Sequence, residues 1–327
     1  MPISTRLTQR LGLTHPVIAA PMDVVAGGKL AAAVSGAGGL GMLGGGYSDD
    51  DGWFDREFAA AGNQAIGCGF ITWALRQNPK VLDAVIARKP KAIFLSFDDP
   101  EPFASKAKAA GIPVMCQLQT RADAERAIDC GVEVIVAQGT EGGGHGGTRA
   151  TLTLVPELAD LIAKRAPQTL LCAAGGIVDG RGLAAALMLG ADGVVVGTRF
   201  WASKEALVPT GLHDAALAAS GDDTVRQSVL DTVRERPWPA RYTGRVLKNE
   251  FVREWAGREG ELRDAKAEQV ARYRAASKVG DAAIAATIVG EGVGLIHAIE
   301  PAAVILERMV AEAEQLLAGA QRYIKKA

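Results

Sequence analysis

The sequence predicts an α/β protein built as a (β/α)8 TIM barrel, with a helical cap inserted after the eighth strand. Three observations carry this expectation. The first two-thirds of the 327 residues repeats one unit, a short apolar run, a turn and a helical pattern. Most of those runs are apolar throughout rather than alternating, as parallel strands covered on both faces are. Eight such units at a spacing of roughly 25 residues close a barrel more readily than they extend an open sheet. An open doubly wound sheet would more often carry a glycine fingerprint after its first strand. Here Val17-Ile18-Ala19-Ala20-Pro21 leads into Met22-Asp23 instead.

In order, the strands are expected at 17–21, 40–43, 65–70, 92–97, 113–118, 132–139, 168–175 and 193–197. Helical patterns lie between them at 29–35, 102–110, 122–130, 156–165 and 181–189. Past Phe200 the chain becomes charged and helical in pattern, broken by Arg236-Pro237-Trp238-Pro239-Ala240-Arg241. A glycine cluster at 289–294 then precedes an amphipathic helix from Pro301 to about Ile324, with the proline suited to a first turn. The expected domains are therefore a barrel of 1–205 and 286–327 and a helical cap of 206–285.

Composition narrows the class. A chain with 48% hydrophobic and 22% charged residues suits an α/β enzyme, not a disordered or fibrous protein. A formal net charge of −1 gives no reason to expect a nucleic-acid or membrane surface. No apolar run is long enough to span a bilayer, and Met1-Pro2-Ile3-Ser4-Thr5-Arg6 lacks a signal-peptide core, so a cytoplasmic location is expected. Cys68, Cys116, Cys130 and Cys172 stand singly and read as buried reduced thiols. No cluster has metal-ligand spacing, and no G-x-S-x-G elbow occurs.

The most informative stretch is Ala137-Gln138-Gly139-Thr140-Glu141-Gly142-Gly143-Gly144-His145-Gly146-Gly147, directly after the sixth strand. It places one of only four histidines in a glycine tract at a strand end, where a mobile loop would present an imidazole to chemistry. A second signal is phosphate chemistry. Barrel enzymes act at the carboxyl ends of their strands, and phosphates recur after strands seven and eight. Those ends here read Ala174-Gly175-Gly176-Ile177 and Val195-Val196-Gly197-Thr198, which supply bare backbone N–H groups and a hydroxyl. Across the mouth, Ala20-Pro21-Met22 would offer backbone to a ligand ring, and the glycines of 44–46 would leave room for it. Asp23 reads as a turn or cap residue. The candidate cofactor-binding residues at these strand ends are thus Ala20, Pro21, Met22, Gly144, Gly175, Gly176, Val196, Gly197 and Thr198, with His145 catalytic.

These motifs resemble the nitronate monooxygenase family, formerly 2-nitropropane dioxygenases, which are FMN-dependent barrels. The resemblance rests on 15–22 (His-Pro-Val-Ile-Ala-Ala-Pro-Met), 37–41 (Ala-Gly-Gly-Leu-Gly), 137–145, 173–182 and 190–200. It implies FMN as cofactor, touched by Pro21 and Met22, with Gln138 near the isoalloxazine and Gly143 in the glycine loop. The phosphate would rest on Gly176, Gly197 and Thr198, and His145 matches the family's catalytic base. The implied reaction is oxidation of alkyl nitronates by O2 to a carbonyl compound and nitrite. Flavin-dependent enoyl-acyl-carrier-protein reductases and an NADH:quinone reductase subgroup look similar, and 40–46 leans toward the former. A non-catalytic barrel binding a phosphorylated metabolite is the rival from another class. Two departures stand out: Gly69 where many relatives have asparagine, and Ser96-Phe97 where one class has a second histidine. His15, His213 and His297 read as structural or solvated. Trp201, Trp238, Tyr242 and Trp255 fit either a pocket or packing, and a homodimer is one option for assembly.

Overall fold

The computed structural model describes residues 2–47 and 52–324. Its strands, in chain order, are β1 Val17–Ala19, β2 Met42–Gly44, β3 Gly67–Ile71, β4 Ile93–Ser96, β5 Val114–Leu118 and β6 Val134–Gln138. They continue with β7 Gly144–Gly146, β8 Leu170–Ala174, β9 Gly193–Val196, β10 Thr224–Gln227 and β11 Thr243–Leu247. Eight of these pair in parallel in the order β1-β9-β8-β6-β5-β4-β3-β2. The ring closes where Ile18 bridges Leu40, with Ala19 N–H donating to the Leu40 carbonyl at 2.9 Å. All eight expected strands are present, and the fold is a TIM barrel.

Why the runs are apolar on both faces is visible in the core. Ile18, Met42, Phe94, Met115, Val134, Val136, Cys172 and Val195 fill the barrel interior. Their sequence neighbours, among them Val17, Leu43, Ile93, Val114, Ile135, Leu171 and Val194, pack outward under the helices. Helix Arg6–Leu11 sends Leu7 and Leu11 into the inner cluster and so plugs the amino-terminal end of the barrel. Arg6 clamps it there through both oxygens of Asp192, at 2.8 and 2.7 Å. The final helix, Ala302–Ala318, completes the outer ring between helices Gly180–Met188 and Gly28–Gly36.

Three expectations need correction. The segment after Phe200 is not wholly helical: β10 and β11 pair antiparallel inside it, and β11 also pairs with β7. The arginines that gave this segment a charged, helical look, Arg226 and Arg245, lie on that ribbon and donate to the Thr140 carbonyl. The helix expected from 156 begins at Thr151, because the Glu141 carboxylate accepts its first N–H at 2.9 Å, so Pro156 lies inside it. The last helix gives way to a 3-10 turn at Gly319–Tyr323. Helices Arg6–Leu11, Trp53–Ala61 and Lys80–Ile86 were not among the expected patterns.

Close backbone packing between the first helix of the ring and β2 sets a testable limit. A Cβ on Gly41 would fall 1.8 Å from the Ala31 carbonyl oxygen. Gly41→Ala is expected to destabilise the protein by about 2 kcal/mol or more, since backbone must shift to admit the methyl. Exposed helical Gly260 meets only an arginine nitrogen at 3.9 Å. Gly260→Ala should be neutral or stabilising by up to about 1 kcal/mol. Chemical denaturation of both variants measures the contrast.

Candidate active site

A cavity of about 430 Å³ opens at the carboxyl ends of the barrel strands. Eleven of the twelve candidate residues line it: Ala20, Pro21, Met22, Gln138, Gly143, Gly144, His145, Gly175, Gly176, Gly197 and Thr198. Val196 does not. Its side chain packs outward under the helices, and strand alternation gives the lining position to Val195 instead. Of the glycines at 44–46, only Gly46 reaches the cavity, and Asp23 lines it as well.

On one side the wall is shaped for an anion. The backbone N–H groups of Gly175, Gly176, Gly197 and Thr198 donate to no acceptor among the described residues. Gly175 and Gly176 hold φ of +101° and +73°, a conformation that turns successive N–H groups outward and favours glycine. Thr198 Oγ1 accepts from the Gly290 N–H at 2.9 Å, which leaves its own O–H free to donate. A phosphate fits these donors without displacing a protein hydrogen bond.

Gln138 is held more firmly than the sequence suggested. Its Oε1 accepts from Gln117 at 3.0 Å and Gln119 at 2.7 Å, while its Nε2 donates to the His145 carbonyl at 3.1 Å. One N–H remains for a ligand.

His145 is the other fixed element. The expectation of a mobile loop fails, because the tract forms β7 and pairs with β11, His145 standing opposite Gly244. The imidazole is only 9% exposed. Its Nε2 lies 3.0 Å from both carboxylate oxygens of Asp231, and its ring stacks on Trp238 at 3.5 Å and 5°. Burial pushes the imidazole pKa below its ordinary 6.5, and Asp231 opposes that shift without cancelling it. Burial thus favours the neutral ring. A carboxylate only accepts, so Nε2 carries the proton and Nδ1 keeps the lone pair.

Asp231, Arg234 and Trp238 all come from one stretch of the cap, the helix Val229–Val233 and the turn after it. Sequence reasoning raised Trp238 as a pocket candidate and missed the other two, which no motif marks. Trp238 also bonds Tyr47 through its indole N–H at 2.8 Å and contacts Trp73, Phe97 and Tyr242 edge-on. Trp201 lines the cavity, whereas Trp255 is buried in the cap core. Phe97 and Val24 line it with φ of +66° and +49°, backbone strain placed at the cavity wall.

Both departures have local reasons. A Cβ on residue 69 would meet Pro21 at 2.4 Å, so asparagine there requires that proline to move. Ser96 is buried and donates to the Phe70 carbonyl at 3.0 Å. His213 lies under Trp201, bonded to its carbonyl, and His297 is exposed.

Fold and cavity together define a TIM-barrel enzyme with an open cavity at the carboxyl ends of its strands. The family model described as nitronate monooxygenase matches residues 4–61 and 56–312, and the chain belongs to that family of flavin-dependent oxidoreductases. A nitronate monooxygenase, npaC, from Metarhizium robertsii is 36% identical over 92% of this chain and 91% of its own length. The structure of FabK from Thermotoga maritima matches 98% of this chain and all of its own with a TM-score of 0.86 at 29% identity. The nitroalkane oxidase of Streptomyces ansochromogenes matches 96% of this chain and 98% of its own, with a TM-score of 0.76 at 25% identity. Among the described residues no helix is long and apolar enough to cross a membrane.

The His145–Asp231 pair generates a pH prediction. NMR titration of the imidazole should give an apparent pKa below 6.5, and Asp231→Asn should lower it further by removing the charge that favours protonation. Because folding depresses this pKa, the unfolded chain binds the proton more tightly, and stability at this site falls as pH drops below 6.5. An Asp231→Asn titration that matches wild type would show that the carboxylate does not tune the ring.

Proposed function

We propose that the protein holds FMN non-covalently and uses it to oxidise alkyl nitronates with O2 to a carbonyl compound and nitrite. The observation that carries this reading is a single cavity with free N–H donors on one wall and a buried His–Asp pair on another. Gly175, Gly176, Gly197 and Thr198 would take the phosphate, with Pro21, Met22 and Gln138 against the ring system. The bound flavin supplies the electron transfer and the reaction with oxygen. The absence of a dinucleotide fingerprint after the first strand supports FMN over FAD.

The chain's own contribution is a proton and a polar wall. With Nε2–H given to Asp231, Nδ1 of His145 is the basic atom, able to take the α-proton of a neutral nitroalkane. A nitronate has already lost that proton, so toward it the ring acts through hydrogen bonding or charge. Trp238 covers one face of the imidazole and excludes water from it. Four unpaired, buried cysteines suit a reducing compartment and support a cytoplasmic site of action.

The match to FabK at a TM-score of 0.86 favours a second reading, an NAD(P)H-dependent flavin reductase acting on an enoyl thioester or a quinone. Anaerobic mixing separates the two. Slow or absent bleaching of the flavin by NADH and NADPH is expected, and rapid bleaching would turn the assignment to the reductase.

Two variants test the site. Gly197 has φ −100°, and a Cβ there would meet only Ala20, at 3.7 Å, so a side chain should fold yet stand among the phosphate donors. Gly197→Val is expected to purify folded and nearly colourless, with FMN regained only at raised concentration. Full FMN content would move the phosphate elsewhere. His145→Asn should keep its flavin and lose ~10²–10⁴-fold in turnover of a neutral nitroalkane, the usual contribution of a general base. Oxidation of a preformed nitronate should suffer less, by about 1.5–3 kcal/mol of lost charged hydrogen bonding. Wild-type rates on both substrates would remove His145 from the chemistry.

A further inference from the structure

Arg234 has no part in the reading so far. It follows the cap helix Val229–Val233 and lines the cavity with Asp23, Tyr47, His145, Trp238 and Tyr273. Among the described residues it is the single lysine or arginine of that lining. Its backbone N–H donates to the Leu230 carbonyl, but its guanidinium makes no hydrogen bond, ion pair or ring contact among the described residues. Nearby arginines are all engaged. Arg226 donates to Thr243 and Thr140, Arg245 to Thr140 and Thr224, and Arg236 lies over the Tyr47 ring. Neighbouring acids are engaged too: Asp231 binds His145, and Glu141 of the lining caps Thr151.

Burial works against the Arg234 charge, yet Tyr47, Tyr273, Asp23 and Asp231 together hold its pKa above the ordinary value. The cavity wall thus keeps a half-buried cation whose several N–H donors are not given to any protein acceptor among the described residues and stay open to a ligand. Ser277, in the same lining, has a buried Oγ without a partner. A guanidinium is a planar fork that matches two oxygens on one atom.

We propose that Arg234 is the anion-recognition residue of this site, holding the two oxygens of a nitronate head and of the nitrite that leaves. It makes the enzyme prefer the anion over the neutral nitroalkane. This rests on the nitronate reading above, and the test separates the two.

Sodium nitrite is titrated into the flavin-loaded protein at constant ionic strength, followed by flavin absorbance. KM and kcat are measured in parallel for ethyl nitronate and for nitroethane. In Arg234→Gln the nitrite Kd and the nitronate KM should rise about 10- to 100-fold, the range for a lost charge-assisted hydrogen bond. The nitronate kcat and the nitroethane KM should stay within about twofold, the pattern of lost ground-state binding. Arg234→Lys should recover part of the affinity, as a point charge without the fork. Should Arg234→Gln lose its flavin or its fold, the wild type decides: phenylglyoxal modification of Arg234, mapped by mass spectrometry, should slow when nitrite is present. Unchanged nitrite affinity in a folded Arg234→Gln, no nitrite binding by the wild type, or equal modification with and without nitrite overturns the proposal. Arg234-dependent nitrite binding in an enzyme that oxidises no nitronate would sink the functional reading and leave the anion site standing.

Discussion

Three residues of backbone pairing organise the site. Gly144, His145 and Gly146 lie antiparallel to Arg245, Gly244 and Thr243, and this short ladder ties the glycine tract after β6 into the cap. Without it the glycine tract would be a flexible connection, since glycine loses more conformational freedom on ordering than any other residue. With it, the imidazole is carried to a fixed place between Asp231 and Trp238. The same ladder fixes the His145 carbonyl, which in turn takes the Gln138 amide and aligns the floor of the cavity. Barrel and cap are thus mutually dependent at the atoms that matter most.

The electrostatics of the cavity follow from that arrangement. One wall presents backbone N–H dipoles beside the Glu141 carboxylate, while the other presents a buried imidazole balanced by a carboxylate. The amides of Gln117, Gln119 and Gln138 fill the space between with neutral hydrogen bonds, which orient groups without adding charge.

Much of this was legible in the sequence because it is local. A strand buried on both faces is apolar at every position, and the glycines that let a ligand approach follow their strands immediately, as at Gly175-Gly176 and Gly197-Thr198. The cap was less legible. Strands of four and five residues bearing Arg226 and Arg245 show too little alternation to stand out from charged helices. Asp231 reaches His145 across 86 positions, and nothing local distinguishes it from any other acid at the start of a helix. Val196 shows the opposite error: a motif gave the right strand end, but the pleat decides which neighbour faces in, and that is Val195.

The plug made by Leu7 and Leu11 has a consequence for traffic. With its floor sealed and its interior packed by Met42, Phe94 and Met115, the barrel gives small molecules no way through along its axis, and the described residues leave the doorway at the carboxyl ends of the strands. That doorway is roofed by Trp238, Tyr47 and Phe97. Whatever enters along the strand ends therefore meets this aromatic roof before it reaches the atoms beneath it.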